Sequence, residues 1–403
     1  IATLNNLNKK HSVLKFEPLV KHGVGSKKDT PLSNWYIVNL KTPKEKITKK
    51  SDQFVKLKKI MDSYQNDPNI KVVEPDYLIN ILTIPDDPYY SSSSSWGQSY
   101  PDLWGIKKIN SEYAWDQNIG SSSIVVANID TGVDRNHADL KDNMWVNTNE
   151  IPDNGIDDDA NGYIDDYYGW DWVNNDNDPM DDHGHGTHTA GTIAGVGNNG
   201  NGVVGVNWNS QIMALKFLNS AGSGSLSDAV LALQYAADMG AKVSSNSWGS
   251  AGSNELLDDA IQYEHDKGMV VVVAAGNSNA DALDYSPASS DRAITVAASD
   301  YNDAKAYFSN WGQKIDITAP GVDILSTKAS INNMCTPARG NIVGTDYCRV
   351  SGTSMATPHV AGLAALILAE NPDLSNEEVR QIIRAGAVDL GADGKDRHFN
   401  IKS

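Results

Sequence analysis

The chain predicts an α/β fold in three layers, a mainly parallel sheet held between helices, and two observations carry that reading. From about residue 102 onward, short runs of apolar residues alternate with stretches of helical character. The runs are apolar throughout rather than at every second position, as in parallel strands covered on both faces. The first strand is I-V-V-A-N-I (124–129), followed by a helix on the small-residue segment H-G-T-H-T-A-G-T-I-A-G (185–195). The run I-M-A-L-K-F-L (212–218) gives the next strand and S-L-S-D-A-V-L-A-L-Q-Y-A-A-D-M-G (225–240) the next helix. K-V-S-S-N-S (242–247) and M-V-V-V-V-A-A (269–275) are strands around a helix at 254–268. A-I-T-V-A-A (293–298) and I-D-I-T-A-P (315–320) complete the strands, and a long helix follows at 353–370. Ligand chemistry in such a sheet belongs at the carboxyl ends of the strands, where Asp130 stands.

Upstream the character changes. Residues 1–33 are polar, rich in Lys and Asn, with little periodicity, and read as a flexible extension. Residues 34–83 read as a small, lysine-rich β-α-β unit: a strand at 35–40, an amphipathic helix at 52–64 and a strand at 70–80. An arm and linker follow at 84–101, with five serines at 91–95 that read as mobile and easily cleaved. The main domain then spans 102–403.

A formal charge of −18 leaves no basic surface to meet phosphates, which argues against a nucleic-acid partner. No apolar run reaches membrane-spanning length. Cys335 and Cys348, thirteen positions apart, suit a surface-loop disulfide, with two free thiols as the alternative. A disulfide implies an oxidising compartment, so the chain is expected to be secreted or otherwise extracytosolic. The first residue is Ile and no export signal is visible, which suggests one lies upstream. The end at K-D-R-H-F-N-I-K-S suggests truncation there too.

Three distant segments carry chemistry. Ser354 lies in S-G-T-S-M-A-T-P-H-V-A-G (351–362), His185 opens H-G-T-H-T-A-G (185–191), and Asp130 closes I-V-V-A-N-I-D-T-G (124–132). A hydroxyl, an imidazole and a carboxylate can form a triad for acyl transfer. The order Asp, His, Ser differs from that of the chymotrypsin barrels and of the α/β-hydrolases.

That order and these segments resemble the subtilisin family, the subtilases. The resemblance implies a subtilisin-like fold and a serine endopeptidase acting through an acyl-enzyme on extended protein or peptide substrates. It makes Ser354 the nucleophile, His185 the general base, Asp130 its orienting partner and Asn277 an oxyanion donor beside the Ser354 backbone N–H. Ser223, Gly224 and Leu226 would contribute to a distal substrate pocket, and Ser247, Trp248 and Gly249 would line the cleft. The 34–83 unit resembles the inhibitory propeptide of self-processing precursors, an intramolecular inhibitor removed by a cut between about Asn80 and Asp87. The enzyme is expected to act as a monomer. His188 and His359 read as buried structural histidines, His183 as solvent-facing, and Asp134 as lying beyond the orienting position.

The interval 153–182 is crowded with carboxylates, which repel unless a hard cation joins them. Asp157, Asp159, Asn161 and Asp165 start like an EF-hand, but Tyr168 occupies the twelfth position, so only a loop-type calcium site is expected. Asp171, Asn174, Asp176 and Asp178 resemble the calcium loop of thermitase-like members. A further family site would use Asp87, Asp139 and Asn199 with backbone oxygens of Gly197, Asn201 and Val203. More than one structural Ca2+ is therefore expected. Three rival readings compete: a catalytically silent binding module, an esterase with the acid and histidine after the serine, and a calcium-dependent adhesion module. The intact Asp130, His185, Asn277 and Ser354 speak against the first, their motifs against the third, and the position of the acid and histidine before the serine against the second.

Overall fold

The computed structural model describes residues 2–20, 30–41, 50–76, 83–389 and 397–398. The chain divides into two compact units, 1–81 and 82–403. In the first unit, helix α1 (Ala2–Lys10) leads into strand β1 (Val13–Pro18), strand β2 (Tyr36–Leu40) and helix α2 (Lys50–Gln65). Strands β1 and β2 pair antiparallel with Phe16 opposite Val38, and the Phe16 ring stacks on Tyr36 at 4.9 Å. Tyr64 of α2 is buried and donates to Asn8 Oδ1, while Ser63 Oγ meets His11 Nε2. The stretch read as flexible thus holds a helix and a strand, because β1 is completed by a distant partner rather than by its own pattern. Residues 70–76, expected to begin a strand, have no strand partner among the described residues, and 77–80 lie outside them, as does part of the expected cleavage interval.

The second unit opens with three short helices, α3 (Pro88–Ser91), α4 (Trp104–Lys108) and α5 (Ser111–Trp115). The serines expected to be mobile are tied down: Ser92 and Ser95 both donate hydroxyls to buried Asp102, which also accepts the Ser95 N–H. Next come β3 (Val125–Asp130), β4 (Gly169–Asp171), α6 (His185–Ala194), β5 (Gln211–Lys216) and α7 (Leu226–Asp238). They are followed by β6 (Val243–Asn246), β7 (Ser250–Ala251), α8 (Glu255–Asp266), β8 (Val270–Ala274), β9 (Tyr285–Ser286) and β10 (Ile294–Ser299). The chain continues through β11 (Ile317–Pro320), β12 (Ile324–Thr327), β13 (Ile342–Val343) and β14 (Tyr347–Val350). It closes with α9 (Thr353–Glu370), α10 (Asn376–Gly386), β15 (Val388–Asp389) and β16 (Arg397–His398).

The main sheet runs β15-β16-β11-β10-β8-β6-β3-β5-β4, parallel except at the β15–β16 edge. Strand β3 lies between β6 and β5, with Val126 opposite Val243 of β6 and Asp130 opposite Lys216 of β5. Alternate side chains leave opposite faces of a strand. Val126, Val270 and Val272 accordingly join one core with Ala190, Ile193, Val360 and Ala364 of α6 and α9. Ala127, Ile129, Val271 and Val273 join the other core with Leu233, Leu257 and Ile261 of α7 and α8. Those two cores separate the three layers. Helix α10, not expected from the sequence, starts at a capping box in which Ser375 and Glu378 bond reciprocally.

Candidate active site and cation-binding loops

Asp130 ends β3 fully buried, and both its oxygens face His185 Nδ1, at 2.8 and 2.9 Å. The helix bearing His185 is positioned from the strand itself: Asn128 Nδ2 donates to the Gly186 carbonyl and Thr189 Oγ1 donates to Asn128 Oδ1. Gly132 takes φ +97°, and a side chain there would meet the Pro179 carbonyl at 2.5 Å, so the turn after Asp130 requires glycine. Burial alone would lower the His185 pKa; the Asp130 charge and hydrogen bond, with Asp181, outweigh it and raise the value above normal.

Asp181 is a residue the sequence reading missed. Its buried carboxylate accepts from Thr131 Oγ1, from Thr187 Oγ1 and from the backbone N–H groups of His183, Gly184 and Thr187. It thereby satisfies open donors at the start of α6. The signal was an acidic residue four positions before His185. Lys216, also unread, is buried and donates to the Thr131 and Leu218 carbonyls and to Asp182.

Ser354 is the second residue of α9. Pro358, four residues on, has no N–H to offer, so the Ser354 carbonyl is released from the helical ladder. That carbonyl accepts from Ser247 Oγ at 3.0 Å, while Ser354 Oγ donates to the Ser247 carbonyl, also at 3.0 Å. In this state the hydroxyl is therefore held by Ser247. Asn277 follows β8, and its Oδ1 accepts the Thr353 N–H at 2.8 Å. Because that N–H can only donate, the oxygen must face it, which leaves Nδ2 as the free donor of an exposed side chain. A carbon built on Gly352 would lie 3.6 Å from Ser354 N and 3.7 Å from Asn277 Nδ2, so both nitrogens border one point.

The residues expected at the cleft are distributed around this centre. Ser247 is buried, and Trp248 packs against Phe217 with its indole N–H on the Ile129 carbonyl. Gly249 lies over the Ser286 carbonyl. Ser223, Gly224 and Leu226 are exposed just before and at the start of α7. A side chain on Gly224 would meet the Phe217 carbonyl at 2.2 Å. His188 donates Nε2–H toward the Ile324 and Cys348 carbonyls, and burial with the His185 charge holds its pKa down at about 3. Burial lowers His359 to about 4, its Nδ1 on the Met355 carbonyl. His183 is half-buried beside His185 rather than solvent-facing, and burial lowers its pKa. Asp134 accepts the Ser330 and Asn136 N–H groups, away from the imidazole. Cys335 and Cys348 are joined as a disulfide, buried beside Met334 rather than exposed.

The acidic segments fall into three arrangements. Asp87 and Asp139 are both fully buried; Asp139 accepts from Asn199 Nδ2 and Val203 N, and Asp87 Oδ2 from Asn198 N. Asp87 Oδ1 is buried without a donor among the described residues, and burial, with the Asp139 and Asp86 charges, pushes its pKa up to about 6. Gly197 and Asn201 lie in the same loop, Asn201 N donating to Asn199 Oδ1. This arrangement fits a cation. In the second, Asp171 accepts from Val173, from Asn174 backbone and from Asn174 Nδ2, Asp176 accepts the Asp178 N–H, and Asp178 is paired with Arg135 at 2.6 Å. In the third, Asp159 lies with Glu150 and Asp166, a group of three carboxylates close enough to hold a divalent ion. The other residues expected there shape the loop: Asp157 accepts from Asn161 and Gly162 N–H, Asp165 from Asn154 and Gly155 N–H, and Asn161 Nδ2 donates to Asp166.

Sheet, helices and the Asp–His pair define a subtilisin-type hydrolase, and the comparisons agree. The Subtilase family model matches residues 121–400. A thermophilic serine proteinase of Bacillus sp. (strain AK1) is 39% identical over 335 residues, 83% of this chain and 72% of its own. Thermitase of Thermoactinomyces vulgaris is 38% identical over 292 residues, 72% of this chain and 88% of its own. A solved protease of Pseudoalteromonas arctica superposes with a TM-score of 0.61 at 30% identity, over 79% of this chain and 96% of that one. The chain belongs to the subtilase family and is a subtilisin-like serine endopeptidase. No helix among the described residues is long and apolar enough to cross a membrane.

Proposed function

We propose that the protein is a self-processing zymogen that cleaves extended polypeptides through an acyl-enzyme, with Ser354 as nucleophile. The Asp130–His185 pair, at 2.8 Å in a buried carboxyl-end site, is the observation that carries this reading. On substrate binding Ser354 Oγ exchanges its Ser247 partner for His185 Nε2, which takes the proton and returns it to the leaving amine. Asp130 keeps Nδ1 protonated and stabilises the imidazolium. Asn277 Nδ2 and the Ser354 N–H receive the oxyanion. The exposed backbone at Ser223, Gly224 and Leu226 and the Ser247–Gly249 segment pair with substrate main chain, so side-chain selectivity is moderate. The N-terminal unit serves as the intramolecular inhibitor, and the mature enzyme acts as an extracytosolic monomer, in keeping with its disulfide. Calcium would be held by Asp87, Asp139 and Asn199 with oxygens of Gly197, Asn201 and Val203, and by the Asp171–Asp178 loop; its contribution there is resistance to unfolding and autolysis.

The test compares wild type with Ser354→Ala during refolding in calcium, following intact mass and cleavage of an unbiased peptide library. Wild type is expected to lose an N-terminal fragment ending between about residues 80 and 87 and to cleave the library, and Ser354→Ala to do neither. A folded wild type that neither matures nor cleaves, even after the N-terminal unit is removed, would favour the silent binding module.

A further inference from the structure

We propose that Glu150, Asp159 and Asp166 form a calcium site that fastens the 147–166 loop to helix α7. One oxygen from each carboxylate lies within 4.8 Å of the others, the diameter of a coordination shell with bonds of about 2.4 Å, in the calcium range. Glu150 is 4% exposed and Asp166 is fully buried. Glu150 Oε1 accepts the Asp158 and Asp159 N–H groups, whereas Oε2 is buried with no donor among the described residues. The donors that reach the other two carboxylates from side chains are neutral: Asn147 Nδ2 bridges Asp159 and Asp166, and Asn161 Nδ2 and the Tyr235 hydroxyl meet Asp166. Buried carboxylates left with neutral donors call for a positive charge. The ligand set is oxygen only, without His or Cys, which selects a hard cation over zinc or copper.

The site differs from the EF-hand-like set, since two of its three acids, Glu150 and Asp166, lie outside that pattern. Its consequence runs through Tyr235. That residue belongs to α7, whose first turn follows the exposed Ser223–Ser225 segment. A cation on Asp166 therefore ties the acidic loop to the helix that presents this segment. None of its ligands belongs to the triad, so the test uses Ser354→Ala protein, in which autolysis is removed and proteolytic activity is irrelevant.

Equilibrium dialysis against calcium alone would count ions per chain, with folding checked by circular dichroism. Glu150→Gln and Asp166→Asn are each expected to lose one ion, or to bind it about tenfold more weakly or worse. Asp165→Asn is expected to keep the count. If the buried variants fold poorly, a second measurement uses the unaltered loop: added protease should cut within 147–166 faster in chelator than in calcium. That protection should persist in Asp87→Asn, which alters the other buried pair. An unchanged count in folded Glu150→Gln, or a loop cut equally fast with and without calcium, would overturn the proposal.

Discussion

Asp130 and Glu150 are both buried carboxylates, yet they are partnered in opposite ways. Asp130 has each oxygen against His185 Nδ1, and Oδ1 also accepts the Thr131 N–H. Glu150 keeps one oxygen buried with no donor among the described residues and shares its surroundings with two further acids. Asp87 repeats the second pattern beside Asp139. The difference lies in what completes each charge. At the carboxyl end of β3 the protein supplies a titratable ring, so the carboxylate governs a proton. Around Glu150 and Asp87 the donors among the described residues are neutral backbone N–H groups, and the proposed cation would supply the missing charge.

The largest effect expected from this contrast is at Asp130. Asp130→Asn keeps the shape but no longer imposes the Nδ1–H tautomer, and turnover should fall by about 10⁴ with KM little altered. That size is the one established for the aspartates of serine protease triads, subtilisin included. The charge that raises the His185 pKa also disappears, so the acid limb of residual activity should move to lower pH. Steady-state kinetics against pH checks both. A loss under tenfold would show that Asp130 does not govern the proton.

Cation removal comes next. At calcium concentrations about 1,000 times the dissociation constant, binding to the native state alone adds about 4 kcal/mol per site. Ser354→Ala protein should therefore melt well below its calcium-loaded temperature once a chelator is added, by differential scanning calorimetry. Asp87→Asn should shrink the difference. Identical melting in calcium and chelator would break the comparison, since the unpartnered oxygens would then need another explanation.

How much of this was legible follows the same division. Strands such as V-V-V-V-A (270–274) could be read because every residue is buried, so the whole run is apolar. The triad positions could be read because their flanking glycines and small residues form short local motifs. Strand β1 could not, since its partner β2 is distant in sequence, Phe16 pairing with Val38, and only pairing makes it a strand. The serine run looked mobile because nothing local marks Asp102 as the acceptor that gathers Ser92 and Ser95. Glu150 escaped notice for a related reason: it stands outside the acidic run and meets Asp159 and Asp166 only through the loop's return. Spacing reveals what neighbours in sequence do, whereas a buried oxygen without a donor is visible only in three dimensions.

Glu264 sharpens the contrast, because it has the unpartnered oxygen without the neighbouring acids. It is fully buried in α8; Ser244 Oγ donates to Oε2 at 2.8 Å and Oε1 has no donor among the described residues. Burial pushes its pKa up to about 8, with the Ser244 hydrogen bond the only opposing influence and no second carboxylate contributing. A lone carboxyl group can relieve its desolvation only by keeping its proton, whereas a cluster of acids can also gather a hard cation, as proposed for Glu150, Asp159 and Asp166. Unfolded, Glu264 ionises near its ordinary value of 4.5, so between there and about 8 the native state binds the extra proton. Stability should therefore fall as pH rises through that window and level off above it. Glu264→Gln carries no such proton, and between about pH 6 and 7.5 the variant should gain about 2 kcal/mol relative to wild type. Denaturant unfolding of both proteins in the Ser354→Ala background, at fixed calcium, measures that slope. A constant difference across the window would mean that Glu264 is ionised in the fold, and an unpartnered buried oxygen would then no longer separate proton-binding from cation-binding acids.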